Sequence, residues 1–156
     1  MGGGNVRIVV DADACPVKRE IADTARSFGV PVLMVASYDH ALVSGPGVEV
    51  RQVERGRDAV DLYISNLVRP GDIVVTQDYG LAALALAKRA TVLSNRGRLY
   101  RNETIDFLME SRHDQAKTRR AGGRTKGPRA MSREDRMRFQ QMLTKVLRDM
   151  QDNGDR

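Results

Sequence analysis

Residues 6–16 read VRIVVDADACP, and this stretch decides the fold. Its first half, Val6–Val10, is a β-branched run typical of a buried strand. The residues that follow stop the strand and open a helix with three- and four-residue apolar spacing, which Gly29 ends. Val30–Ala36 is a second apolar run. The pattern predicts a strand–helix–strand unit over residues 6–36.

The rest of the chain repeats this alternation. We predict further strands at Val48–Val53, Ile73–Thr76 and Thr91–Ser94, and helices at Ala59–Val68 and Leu81–Arg89. Strands that alternate with helices at short intervals imply a parallel sheet covered on both faces. The prediction is therefore an α/β fold with a central, mainly parallel sheet of about four to five strands.

The chain length of 156 residues fits one domain with a C-terminal extension. We predict an α/β domain at 1–111. Residues 112–131 are basic, rich in Gly and poor in large apolar side chains, so we predict a flexible loop there. An apolar stripe that begins after Ser132 and Asp135 predicts a capped helix at 132–150 that docks on the same domain, followed by a tail at 151–156.

Several classes of protein are disfavoured by composition. No apolar run approaches the roughly 20 residues that a membrane span needs, so we expect a soluble protein without a membrane partner. The first residues lack the charged and apolar segments of a secretory signal. Cys15 is the only cysteine, which excludes an internal disulfide and fits a reducing compartment. We expect a cytoplasmic protein, with Cys15 as a small buried thiol.

Charge is distributed unevenly along the chain. Residues 1–111 carry 13 basic and 14 acidic side chains, whereas residues 112–156 carry 13 basic and 6 acidic side chains. A cationic extension on a near-neutral body predicts contact with a polyanion such as nucleic acid; the alternative is a solubilising tail. With 4% aromatic residues, base stacking is expected to be limited. The expected nucleic-acid contacts are Lys117, Arg119, Arg120, Arg124, Lys126 and Arg129.

Acidic residues follow the predicted strands. Asp11 and Asp13 come directly after the first strand, and Asp78 follows the strand that begins at Ile73. Asp58 and Asp61 lie one helical turn apart at the start of a helix. Because ligands bind at the carboxyl ends of parallel strands, we expect these side chains to converge on one edge of the sheet.

Gathered carboxylates repel one another unless a cation neutralises them, and their hard oxygens suit Mg²⁺ or Mn²⁺. Each residue also has an ordinary interpretation: Asp58 and Asp78 as helix caps, Asp13 as a turn former, Asn95 as a loop residue. The repetition at strand ends favours the metal site. Asp72 precedes its strand and is left out of it.

Two long motifs carry a family resemblance. Residues 10–18, VDADACPVK, and residues 71–82, GDIVVTQDYGLA, resemble the bacterial YaiI/YqxD family. Gly127-Pro128, Glu134-Asp135-Arg136 and the stretch from Phe139 to Leu143 are similar to that family's C-terminal segment. The resemblance covers nearly the whole chain. The family is in turn similar to PIN-like domains, many of which are metal-dependent nucleases.

The resemblance implies a set of site residues. The metal ligands would be Asp11, Asp61, Asp78 and Asn95, with Asp13 as an additional catalytic acid beside Asp11, Asp61 and Asp78, and Asp58 as a supporting residue. The sequence departs from the wider pattern because Asn95 has no charge and Gly80 stands where a second acid would follow Asp78. Metal binding is therefore a firmer expectation than nuclease activity.

The favoured function is hydrolysis of phosphodiester bonds with Mg²⁺ or Mn²⁺, on RNA rather than DNA. Lys18, Arg55 and Arg57 are candidates for binding flanking phosphates, although exposed basic side chains are commonly only solvated. One alternative is a non-catalytic RNA-binding module. A lesser alternative is a phosphatase that resembles haloacid dehalogenases, with Asp11 as nucleophile and Asp13 as acid, but Gly71-Asp72 precedes its strand instead of following it.

Overall fold

The computed structural model of the chain describes residues 6–38, 44–56, 58–120 and 130–154. The strands of this part are β1 (Ile8–Asp11), β2 (Val32–Ser37), β3 (Val48–Val53), β4 (Ile73–Val75) and β5 (Thr91–Leu93). The helices are α1 (Lys18–Phe28), α2 (Ala59–Leu67), α3 (Tyr79–Ala87), α4 (Asn102–Arg120) and α5 (Arg133–Gly154).

All five strands pair in parallel, in the order β3-β2-β1-β4-β5. The predicted α/β fold with a parallel sheet is confirmed. The chain moves outward from β1 to β3 and then returns to place β4 on the other side of β1. Such a reversal of strand order opens a crevice at the carboxyl ends of the two strands. In this protein the reversal lies between β1 and β4.

Side-chain alternation along β1 builds a core on each face of the sheet. Ile8 and Val10 face one core, which α1 and α5 cover, and Val9 faces the other, which α2, α3 and α4 cover. α5 contributes three buried side chains to the first core: Phe139, Leu143 and Leu147. The C-terminal helix is thus part of the packed domain.

α4 differs from the sequence prediction. It runs to Arg120, so the first part of 112–131, predicted as a flexible loop, is helical. Only Ile105 and Leu108 are buried among its described side chains, which leaves little apolar periodicity to read. The remaining sequence is rich in Glu, Gln, Lys and Arg, which have good intrinsic helix propensity. Residues 121–129 lie outside the described residues.

No helix within residues 6–38, 44–56, 58–120 and 130–154 is both long enough and apolar enough to cross a membrane.

Candidate metal centre at the carboxyl edge

Asp11 lies at the carboxyl end of β1, beside the reversal of strand order. Its half-buried carboxylate accepts a hydrogen bond at Oδ2 from Thr76 Oγ1, at 2.9 Å. Burial raises the pKa of Asp11, the Thr76 hydrogen bond lowers it, and the nearby charges of Asp78 and Asp13 raise it again. The net result is a pKa above the ordinary aspartate value.

Asp78 is the N-cap residue of α3, immediately beyond β4. Its Oδ1 accepts a hydrogen bond from the backbone N–H of Leu81 at 2.9 Å, and its own N–H donates to Thr76 Oγ1 at 3.0 Å. The Thr76 hydroxyl therefore connects the Asp11 carboxylate with the Asp78 backbone. A side chain at Gly80 would bring its Cβ within 3.2 Å of Asp78 Oδ1. A larger residue at this position would therefore press on the Asp78 carboxylate.

Asp61 joins this pair from the first turn of α2. Burial raises its pKa to about 7, helped by the charges of Asp78 and Asp11, by a side-chain hydrogen bond with Asp78 and by the charge of Asp58. Asp58 itself is the N-cap of α2, with a left-handed φ of 66° and no capping hydrogen bond from its side chain. The capping interpretation thus applies to Asp78, whereas Asp58 occupies a cap position without making the bond.

The site therefore brings Asp11, Asp61 and Asp78 together from three separate elements. Among the described residues, no Lys or Arg forms an ion pair with Asp11 or Asp61. Burial first, and the neighbouring carboxylates second, favour the protonated form of Asp61, so its pKa is raised. As they stand, no three His, Cys, Asp or Glu side chains in the described ranges are grouped closely enough to hold a metal ion.

Asp13 and Asn95 lie at the same edge but are tied to the backbone around the site. Asp13 Oδ1 accepts a hydrogen bond from Ser37 N at 2.8 Å, which joins the end of β1 to the end of β2. The Asn95 side chain donates from Nδ2 to Ala14 O at 3.2 Å and is buried. Both contacts fix the loop after β1. Their proposed roles as catalytic acid and metal ligand remain predictions.

The residues predicted to bind phosphate are less uniformly placed. Lys18 begins α1, and its Nζ donates to Cys15 O at 2.9 Å, so the ammonium folds back over the loop after β1. Arg55 is exposed in the connection between β3 and α2. Arg57 lies outside the described residues. Cys15 is buried, and that burial raises the pKa of its thiol to about 11, as expected of a packing residue and not of a reactive thiolate.

The predicted nucleic-acid contacts lie at or beyond the end of α4. The backbone of Lys117, Arg119 and Arg120 belongs to the helix. Arg124, Lys126 and Arg129 lie outside the described residues.

Sequence reasoning missed the junction between α5 and the loop after β5. Buried Asp135 accepts a hydrogen bond at Oδ2 from Arg96, at 2.6 Å. The same carboxylate accepts from Ser132 N, while Ser132 Oγ accepts from Asp135 N, so the predicted capped helix start is confirmed. A Cβ at Gly97 would lie 2.9 Å from Arg138 O. The only sequence signal for this contact was the Ser132–Asp135 spacing, which predicted the cap but not the Arg96 partner.

Comparison with known proteins agrees with the sequence resemblance. A UPF0178 protein of Halalkalibacterium halodurans is 50% identical over 140 residues, covering 90% of this chain and 89% of that protein. A UPF0178 protein of Listeria monocytogenes serotype 4b is 46% identical over 143 residues, covering 92% of this chain and 98% of that protein. No solved structure matches the chain.

A family model described as uncharacterized, the YaiI/YqxD family, matches residues 9–149. That range includes most of β1, the acidic residues of the carboxyl edge and most of α5. The chain belongs to the YaiI/YqxD family.

Proposed function

We propose that this protein is a divalent-metal-dependent nuclease that hydrolyses phosphodiester bonds. One observation carries the proposal: Asp11, Asp61 and Asp78 converge from β1, α2 and the N-terminus of α3 at the reversal of strand order. Two of these carboxyls have raised pKa values. Titratable groups that share a crevice and perturb one another are typical of functional sites.

The donor atoms suit a hard cation. Three carboxylates supply oxygen ligands of the kind that Mg²⁺ and Mn²⁺ prefer, and both ions retain water molecules for chemistry. A side-chain hydrogen bond joins Asp61 and Asp78, and a cation bound there would displace the Asp61 proton. When bound, such an ion would polarise a phosphate and lower the pKa of a bound water.

The acidic residues and their neighbours would have different roles. Asp11 and Asp78 would hold the ion, with Asp11 oriented by Thr76 and Asp78 oriented by the Leu81 N–H. Asp61 would give up its proton on binding and could then accept hydrogen bonds from bound water. Asn95 and Asp13 would keep the surrounding loop in place.

The nucleic-acid partner follows from charge. Residues 112–156 carry 13 basic and 6 acidic side chains, and they include the end of α4 and the whole of α5. Such a segment would contact phosphates without regard to base sequence. RNA is the favoured substrate and the cytoplasm the favoured location, both on the grounds given by the sequence.

The phosphatase alternative is weaker. It needs the Asp13 carboxyl to act as a general acid toward a leaving group, whereas Asp13 Oδ1 accepts a hydrogen bond from Ser37 N at 2.8 Å. This bond commits one oxygen of Asp13 to holding the loop after β1 against the end of β2.

Cleavage of labelled RNA and DNA by the full chain, with Mn²⁺, with Mg²⁺ and with EDTA, tests the proposal. We expect metal-dependent cleavage that Asp11→Asn reduces at least about 100-fold. Asp23→Asn is the matched control, because Asp23 is exposed on α1 and pairs with Arg19. It should cleave like the parent protein.

Two results would contradict the nuclease. Equal cleavage by Asp11→Asn would assign the activity to a contaminant or to another site. RNA binding that is unaffected by metal, without any cleavage, would instead identify a non-catalytic RNA-binding module.

A further inference from the structure

The turn after β5, residues 94–98, is closed by its own hydrogen bonds. Ser94 Oγ accepts hydrogen bonds from the N–H groups of Arg96 and Arg98, at 3.3 and 3.0 Å, and Ser94 N donates to Arg98 O at 2.9 Å. Gly97 has a left-handed φ of 82°, which completes the reversal. Because the turn is bonded to itself, a contact that fixes Arg96 also fixes its neighbour Asn95.

Asn95 links this turn to two loops that carry acidic residues. Its backbone N–H donates to Gln77 Oε1 at 2.7 Å, and Gln77 immediately precedes Asp78. Its side chain donates from Nδ2 to Ala14 O at 3.2 Å, and Ala14 immediately follows Asp13. Asn95 is 4% exposed, so water competes little for these bonds. The position of Asn95 therefore bears on the loops after both β1 and β4.

Arg96 anchors the turn to α5. Its Nη1 donates to Asp135 Oδ2 at 2.6 Å, with 23% of the Arg96 side chain and 1% of the Asp135 side chain exposed. Charge-assisted bonds of this kind are stronger than neutral ones. The same carboxylate oxygen accepts from Ser132 N at 3.1 Å, so it is fixed at the start of the helix. A Cβ at Gly97 would lie 2.9 Å from Arg138 O, which places the turn directly against α5.

The loop after β1 is held from the same part of α5. Arg136 follows Asp135 in the chain, and its Nη1 donates to Pro16 O at 2.7 Å. Pro16 lies two residues beyond Ala14, the residue that accepts from Asn95. The first turn of α5 therefore contacts the loop after β1 directly, and it reaches the same loop a second time through the turn after β5.

Arg138 also pairs with Asp135, but from within α5. Its Nη1 lies 3.3 Å from Asp135 Oδ1, three residues away on the same helix, and its side chain is 60% exposed. Removing this guanidinium would take a positive charge from Asp135 and leave the Arg96 bond in place. The two arginines thus separate the neutralisation of a buried carboxylate from the anchoring of the turn.

Resting on the proposed function, we propose that Arg96 is a positioning residue of the acidic site. Its ion pair with Asp135 holds the turn after β5, so that Asn95 keeps the loops after β1 and β4 in the arrangement that a divalent cation needs. Arg96 itself contacts neither the ion nor the substrate. Partners that orient a metal site in this way commonly change metal affinity 10- to 100-fold when they are lost.

Calorimetric titration of the full chain with Mn²⁺ tests this role. Arg96→Met keeps the apolar stem but loses the ion pair, so it should weaken Mn²⁺ binding about tenfold. Arg96→Lys retains a positive charge and should recover most of the affinity. Arg138→Met, the same substitution at the other partner of Asp135, is the matched control and should bind like the parent.

A double-mutant cycle shows whether Arg96 acts through Asn95. Asn95→Ala alone should weaken Mn²⁺ binding, and the double variant with Arg96→Met should bind no more weakly than Asn95→Ala alone. Two losses that multiply would mean that Arg96 acts by another route. Arg138→Met combined with Asn95→Ala should match Asn95→Ala.

Amide hydrogen exchange of the metal-free protein separates positioning from a general loss of stability. In Arg96→Met the Asn95 N–H should exchange about tenfold faster, whereas the N–H of Val9, in the central strand, should keep its parental rate. A merely structural role would speed both amides. If Arg96→Met does not fold, Arg96→Gln, which is neutral but still polar, serves in the same comparisons.

The positioning role of Arg96 is overturned if Arg96→Met binds Mn²⁺ like the parent, if Arg138→Met loses as much affinity, or if the Asn95 N–H keeps its parental exchange rate. Such results with a parent that binds Mn²⁺ and cleaves would leave the nuclease intact. Mn²⁺ binding that depends on Arg96, in a protein that never cleaves, would remove the nuclease alone. A parent that binds no Mn²⁺ would remove the metal site and this role with it.

Discussion

Asp72 and Asp11 lie at opposite edges of the same sheet, and they have opposite surroundings. Asp72, before β4, is 1% exposed and accepts hydrogen bonds from Arg7 Nε at 3.1 Å and from Arg69 N at 3.0 Å. Asp11, at the far end of β1, has a threonine hydroxyl and two further carboxylates as neighbours. Asp72 at the amino edge is paired with arginine, whereas Asp11 and Asp61 at the carboxyl edge lie close to other carboxylates.

The charged groups around an aspartate distinguish a structural carboxylate from a functional one more reliably than the residue type does. A buried carboxylate paired with an arginine belongs to the architecture, because removing either partner would leave the other charge unpaired. Carboxylates that face one another raise the free energy of the folded state in the absence of a cation. Such a cost is common at sites that bind something.

The largest effect is expected at the amino edge. Asp72→Asn should lower the free energy of unfolding by about 3 kcal/mol, because Arg7 would keep its burial without its counter-charge. Urea denaturation measures the change. Asp23→Asn, the same substitution at an exposed ion pair, should change it by less than about 0.5 kcal/mol. A loss at Asp72 as small as the control would show that the two edges do not differ as described.

A smaller effect is expected from the hydroxyl that holds the acidic site together. Thr76→Val keeps the shape of the side chain but loses the bond to Asp11 and the acceptor for Asp78 N–H, so Mn²⁺ affinity should fall about 10- to 100-fold. Isothermal titration calorimetry with Mn²⁺ alone measures it. Thr76→Ser should restore most of the affinity. Thr144→Val, at a half-buried threonine of α5 whose hydroxyl donates to Gln140 O of the same helix, should have no effect, and equal losses at both positions would refute the orienting role.

The smallest effect is expected at Asp61, where the substitution should increase the stability of the protein. Its pKa is raised to about 7 in the folded protein, against about 3.9 in an unfolded chain. Between these values the folded state holds the extra proton, so stability falls as pH rises and levels off above about pH 7. Asp61→Asn should remove this fall and make the metal-free protein about 1 kcal/mol more stable at pH 8, or about 3 °C in Tm, with little change near pH 4.

Thermal melts of parent and Asp61→Asn at both pH values, in EDTA and in Mn²⁺, measure the difference. Mn²⁺ should stabilise the parent more than the variant, and its affinity for the parent should rise with pH up to about pH 7, since the ion displaces the Asp61 proton. A parent protein whose metal-free stability is flat from pH 4 to pH 8 would contradict the crowding of the carboxylates.

The sequence was sufficient for the sheet because each strand is a short apolar run between helical segments. It was also sufficient to predict the convergence of Asp11, Asp61 and Asp78, since strand ends and the first turn of a helix fix position without side-chain detail. Their mutual hydrogen bonds depend on rotamers, which sequence spacing does not specify. Asp13 and Asn95 illustrate this. Both lie at the predicted edge, but the hydrogen bonds described for their side chains are to backbone atoms.

Two further features were beyond the reach of pattern reasoning. The charged second half of α4 lacks an apolar stripe, so the helix could not be told from a basic loop. The Arg96–Asp135 ion pair joins residues far apart in sequence, and the same Asp135 had a sufficient local explanation as a helix cap. When the sequence already explains a residue by a local role, such as a helix cap, its spacing does not indicate that it also has a distant partner.

The close contact of α5 with Gly97 has a consequence for the basic segment between α4 and α5. Both ends of that segment are anchored, at one side by α4 and at the other by Ser132 and Asp135, whose Arg96 partner follows β5 at the carboxyl edge. A nucleic-acid chain bound by the basic residues of this segment would therefore be held on the same folded domain as the acidic site, which raises its effective concentration there.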